Sequence, residues 1–174
     1  MASEMDSSYK AFLTNLRSKG WEIKLQACPS TCPESVRQRY NWVPEKVWNF
    51  IEETASVVSP DVTAYFNASD EFSGESNAAY AWDQWELSSL YAAGNDDQWK
   101  REITTFWDKH FPIVMSVKDC YAFFAIRKGD LRIVLGEEPV YEDTVEIATT
   151  IEDFLERITN CDSSLARWIT FTKL

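Results

Sequence analysis

Apolar residues first recur at helical spacing. Tyr9, Phe12, Leu13 and Leu16 share one face of a segment from Asp6 to Lys19, and Gly20 supplies a stop. Trp21, Ile23 and Leu25 then alternate with Glu22, Lys24 and Gln26, the period of a strand. Cys28-Pro29-Ser30 breaks that pattern. Thr31 and Glu34 stand at capping-box spacing with Pro33 between them, which predicts a short helix through Tyr40. Val43-Pro44-Glu45 opens a further helix with an apolar stripe of Val47, Trp48, Ile51 and Ala55, ended by Ser59-Pro60-Asp61. Val62 to Phe66 is β-branched and aromatic, hence a strand, and Ser69 to Ser76 reads as a polar, acidic loop. The aromatic-rich run Ala78 to Leu87 predicts a strand bearing Trp82 or Trp85. Gly94-Asn95-Asp96-Asp97 is a turn with capping residues, after which Trp99, Ile103, Phe106, Trp107 and His110 fall on one helical face.

Beyond Pro112 the pattern becomes β-rich. Ile113 to Val117, Cys120 to Arg127 and Leu131 to Gly136 read as strands, the last two joined as a hairpin by Lys128-Gly129-Asp130. Val145 to Ala148 is a fourth. Thr150 and Asp153 cap a helix carrying Ile151, Phe154, Leu155 and Ile158, and the tail from Ser163 reads as a short turn of helix and an extended end. Helices early and late around a run of neighbouring strands predict an α+β domain with a mostly antiparallel, curled sheet. A chain of 174 residues suits one such domain and can bury a core without disulfide or metal.

Charge sharpens the picture more than composition does. Net charge is −11, and the 53 positions from Val47 to Trp99 hold ten acids without one Lys or Arg. Ile133 to Glu156 holds eight more acids, again without a basic residue, so the remainder of the chain is net positive. Long stretches of this sign argue against nucleic acid as a partner and suit a basic protein. The bland reading is that such stretches serve solubility. The acidic, polar start from Met1 to Asp6 is no secretory signal, and no run approaches the roughly 18 apolar residues of a membrane helix. A cytoplasmic protein with no membrane partner is therefore expected. Cys28, Cys32, Cys120 and Cys161 fit no familiar zinc or iron–sulfur spacing and read as reduced thiols.

Candidate chemistry is sparse. His110 is the single histidine, and its stripe neighbours Phe106 and Trp107 favour a structural role. Two-histidine metal motifs are excluded by count, and five scattered glycines form no phosphate-cradling loop. No metal and no cofactor are expected. A hydrolase built on His110 or on a carboxylate pair stays open as a third reading. Most Trp and Phe residues sit at core spacing. Trp82 and Trp85, beside Asp83 and Glu86, are the exceptions, an aromatic–acid composition common at protein interfaces.

The order of four segments resembles the SUKH superfamily, which holds many bacterial immunity proteins and a fungal cell-wall regulator. They are Val43-Pro44-Glu45 leading to Phe50; Trp85-Glu86-Leu87-Ser88-Ser89-Leu90; Asp119 to Ala125 with Ile133-Val134-Leu135-Gly136; and Val145 to Ala148 followed by Ile151-Glu152-Asp153-Phe154-Leu155. The likeness spans 43–159, leaving 1–42 as an N-terminal helical extension packed on the domain and 160–174 as a tail. A Gly-rich turn common in the family after its first helix is missing between Glu53 and Pro60. The resemblance implies a curled sheet flanked by helices, no catalytic residues, and a protein partner. The expected function is an immunity protein that neutralises a cognate toxin domain, such as a nuclease, through an acidic face; the alternative is an intracellular regulatory scaffold. Candidate partner-binding residues are Asp70, Glu71, Glu75, Trp82, Asp83, Trp85, Glu86, Glu137, Glu138, Glu142 and Asp143.

Overall fold

A computed structural model describes residues 4–174. The described residues form seven α-helices and seven strands: α1 Ser7–Ser18, β1 Glu22–Leu25, α2 Glu34–Arg39, α3 Glu45–Glu53, β2 Thr54–Val58, β3 Ala64–Phe66, α4 Ser69–Ser73, α5 Gln84–Ala92, α6 Asp97–Asp108, β4 His110–Ser116, β5 Ala122–Arg127, β6 Ile133–Glu137, β7 Val140–Ala148 and α7 Ile151–Thr159, with a 3-10 turn at Ser163–Leu165. The strands make one antiparallel sheet in chain order, β1 to β7, so every pairing joins sequence neighbours. The expected α+β class and curled antiparallel sheet are present in a single domain. No helix among the described residues is long and apolar enough to cross a membrane.

Both faces of the sheet are covered. On one face Phe66, Val114, Phe124, Ile126, Ile133 and Leu135 meet α1, α3, α7 and the tail through Phe12, Phe50, Phe154 and Ile169. On the other, Tyr65, Met115, Phe123, Ala125 and Val134 meet Trp85 of α5 and Ile103 and Trp107 of α6. Double coverage explains why all seven residues of β4 are buried, and why β5 reads Ala-Phe-Phe-Ala-Ile without polar alternation. Two-sided burial favours apolar residues at successive positions, whichever way the strands run.

Local signals place several elements as expected. The Asp6 side chain accepts the Ser8 N–H, and Asp96 and Thr150 cap α6 and α7 in the same way. All four apolar residues expected on α7 are buried. Gly20 turns the chain at φ +90°, where a β-carbon would stand 2.7 Å from that of Lys173 in the returning tail. The indole of Trp21 donates to the Phe171 carbonyl at 2.8 Å, which helps hold that tail.

Other expectations are corrected. The helix opened by Pro44 stops at Glu53 and runs straight into β2, so Ala55 lies in a strand. Thr54, Val57 and Val58 are β-branched, and pairing with β1 and β3 stabilises the extended form. Pro33 itself precedes α2, which has no side-chain cap, so Thr31 and Glu34 form no capping box. Ser69 to Ser73 is a short helix ended by left-handed Gly74. Ala78 to Leu87 holds no strand; its end is the first turn of α5. The helix expected to include His110 ends at Asp108, and His110 begins β4.

Gly136 faces Phe123 across the β5–β6 pair. A β-carbon there would lie 2.3 Å from the Tyr141 carbonyl oxygen and 2.4 Å from the Phe123 ring. Neither neighbour is a flexible chain end, so Gly136→Ala should cost about 2 kcal/mol or more through overpacking. Urea unfolding measures it, and a loss near zero contradicts this packing.

Candidate partner-binding site

The structure separates the eleven candidates into interior and surface groups. Three lie inside, against expectation: Glu71, Trp85 and Glu86 are 6%, 2% and 6% exposed. Glu71 accepts the Ala68 N–H and the Ser76 hydroxyl, both at 3.0 Å, and so braces the start of α4; burial pushes its pKa up. Glu86 is held by both terminal nitrogens of Arg39 at 2.7 and 2.9 Å, while Arg39 Nε reaches Asp108 at 2.8 Å. The Trp85 indole donates to the Ala122 carbonyl at 3.2 Å. The helical geometry of α5 puts Trp85, Glu86 and Ser89 on one inward side, where strand alternation would have separated neighbours.

The others reach solvent to different degrees. Glu75, Glu138 and Asp143 are exposed; Asp70, Trp82, Asp83, Glu137 and Glu142 are half-buried. Trp82 packs at 5.3 Å from Phe72 and 6.1 Å from Tyr40. Asp70 accepts from Gln26 at 3.3 Å. Glu142 accepts the Trp107 indole at 2.9 Å. Glu137 accepts the Cys120 thiol at 3.1 Å and the Trp168 indole at 3.0 Å, and Arg167 approaches it at 3.5 Å. Its pKa is lowered, chiefly by the Cys120 hydrogen bond. The Cys120 thiol is pushed up to about 11 by burial and by that carboxylate, so at neutral pH it is a protonated donor rather than a nucleophile.

The elements bring four rings together at one end of the sheet. Tyr121, just ahead of β5, stacks on Trp85 at 5.1 Å, and Tyr141 of β7 stacks on Trp85 at 5.3 Å. Tyr80 packs against Trp85 at 5.1 Å and shares a 2.9 Å hydroxyl hydrogen bond with Tyr121. Glu138 sits alongside: its carboxylate accepts the Tyr121 N–H at 3.0 Å, and its own N–H donates to the Tyr121 carbonyl at 2.9 Å. The result is a solvent-facing tyrosine pair on a buried Trp, with a carboxylate beside it. Tyr80, Tyr121 and Tyr141 had no signal in the sequence, because they come from a loop, a strand entry and the sheet edge.

The charge pattern is divided in space. Glu86, Glu137 and Glu146 meet Arg39, Arg167 and the Arg127–Arg132 pair, all from outside the acidic stretches. Asp70, Glu75, Asp83, Glu138, Glu142 and Asp143 make no ion pair among the described residues.

His110 has a structural setting. Its Nδ1 lies 2.7 Å from the Phe106 carbonyl, and the ring stacks on Phe106 at 3.9 Å. Burial lowers its pKa. No group of three His, Cys, Asp or Glu residues among those described is close enough to hold a metal ion.

Comparison with protein-family models, curated proteins and solved structures gives no match.

Two outcomes check this assignment. Arg39→Ala strands the buried Glu86 carboxylate and should cost about 3–5 kcal/mol, whereas Arg39→Met with Glu86→Leu should restore most of it; a loss below about 1 kcal/mol for the single variant contradicts the interior role of Glu86. An NMR titration of the single histidine should give a midpoint below its ordinary 6.5. The folded state keeps the ring neutral, so its contribution is complete above that value and is lost as acidification passes through the lowered pKa. His110→Phe should remove that part of the acid sensitivity.

Proposed function

We propose that this chain is a cytoplasmic immunity protein that binds and neutralises a cognate toxin domain with a basic cleft, such as a nuclease. The observation that carries this reading is the sheet-end patch. Tyr80 and Tyr121 pack on buried Trp85, with Glu138 beside them and no cation paired with it among the described residues. Rigid aromatics beside charge are the composition of an interface hot spot, since they contribute contact area at small cost in side-chain entropy. Glu75, Asp83 and Asp143, without an ion pair among the described residues, supply long-range attraction for a positive partner. The resemblance to SUKH proteins, whose implied α+β class this chain has, supports the same role. In a nuclease complex the carboxylates stand where substrate phosphates would lie, and covering the cleft excludes substrate.

Co-expression with a candidate toxin domain, taken from the adjacent gene, provides the test. The wild-type protein should restore growth and co-purify with the toxin. Tyr121→Ala should speed dissociation about tenfold or more. Glu75→Lys with Asp143→Lys should mainly slow association and weaken its salt dependence. Growth arrest despite well-expressed protein would falsify the immunity role. Recovery of several unrelated cellular proteins favours the regulatory scaffold instead.

A further inference from the structure

Helix α5 carries an outer face with no charge. Among its nine residues only Glu86 is ionisable at neutral pH, and Glu86 is turned inward to Arg39. On the side opposite Trp85 and Ser89, Leu87 and Tyr91 stand one turn apart, 48% and 90% exposed. A surface helix normally pairs one packed apolar stripe with a charged outer face. Here the inner stripe is already packed, and the outer one presents a large aliphatic and a large aromatic side chain to water. Trp99, the third residue of α6, is 46% exposed. Gly94 and Asn95 join the two helices, so Trp99 lies at the same end of this helical hairpin as Tyr91. Asp83 borders the ridge at one end and Asp96 and Asp97 at the other; no Lys or Arg occurs from Val47 to Trp99, and the first cations, Lys100 and Arg101, follow one turn into α6 without an ion pair to these carboxylates among the described residues.

We propose that this ridge is a docking surface for a basic amphipathic helix of a partner protein. The proposal rests on the binding role above and names the partner's chemistry. Leu87 and Tyr91 form a ridge at the four-residue spacing that fits the grooves of a second helix. Lys or Arg residues beside that helix's apolar stripe meet Asp83, Asp96 and Asp97. A second copy of this chain fits worse: antiparallel pairing of α5 with itself sets Asp83 of one copy toward Asp96 and Asp97 of the other, carboxylate against carboxylate.

Two synthetic amphipathic peptides about 15 residues long, sharing one leucine stripe but carrying Lys or Glu on the polar side, provide the probe. The lysine peptide should shift the resonances of Leu87, Tyr91 and the Trp99 indole. Leu87→Ser with Tyr91→Ser should cut its affinity about tenfold or more while leaving thermal stability unchanged. The glutamate peptide should leave those resonances unmoved. Shifts confined to other surfaces, equal affinity for the double variant, or dimerisation through the ridge overturn the proposal. The toxin domain separates the two readings. If wild type and double variant bind it equally, the ridge proposal falls and the immunity role stands. If the toxin fails to bind while the lysine peptide engages the ridge, the immunity role falls and the ridge stands.

Discussion

Burial of β5 on both faces is the constraint on which the other features depend. Ala122 to Ile126 lie inside the sheet between β4 and β6, with Phe124 facing Phe154 and Trp168 on one side and Phe123 facing Trp107 on the other. A strand with no solvent side needs both helical layers at once, since loss of either exposes large apolar area to water. The layer formed by α5 and α6 is therefore part of the core's definition. It also sets the surface: the Trp85 indole is tied to the Ala122 carbonyl, which fixes the rotation of α5 and so decides that Leu87 and Tyr91 point outward.

Trp85 thus connects the core to the surface. Expected at the surface, it is instead buried, stacked between Tyr121 and Tyr141 and packed against Tyr80. Its burial fits the proposed binding role, because rings stacked on a fixed neighbour lose little freedom when a partner covers them. Glu86 shows the complementary effect. The charge that could have sat on the outer side of α5 is used inside, in a bidentate pair with Arg39 that links α2 to α5.

The acidic stretches acquire a different meaning in three dimensions. Along the chain they lack basic residues altogether; in space, Arg39, Arg127, Arg132 and Arg167 reach into them from flanking elements. What makes no ion pair among the described residues is a smaller set that includes Asp70, Glu75, Asp83, Glu138, Glu142 and Asp143. The proposed attraction to a basic partner rests on this residual set rather than on net charge, because a paired carboxylate contributes little field beyond its partner.

Helices α1, α6 and α7 and the β5–β6 hairpin were legible in the sequence because their information is local. Caps at Asp6, Asp96 and Thr150, a helical stripe such as Ile151-Phe154-Leu155-Ile158, and a turn at Lys128-Gly129-Asp130 each lie within a few residues of what they specify. The tertiary structure alone decided β2, the helical state of α5, and the interior places of Glu71, Trp85 and Glu86. Thr54–Val58 extends because β1 and β3 pair with it, Trp85 is buried because Tyr121 and Tyr141 cover it, and Glu86 is buried because Arg39, 47 residues earlier, compensates its charge. Periodicity and capping report on neighbours along the chain. Burial and charge compensation depend on which distant segments the fold brings into contact.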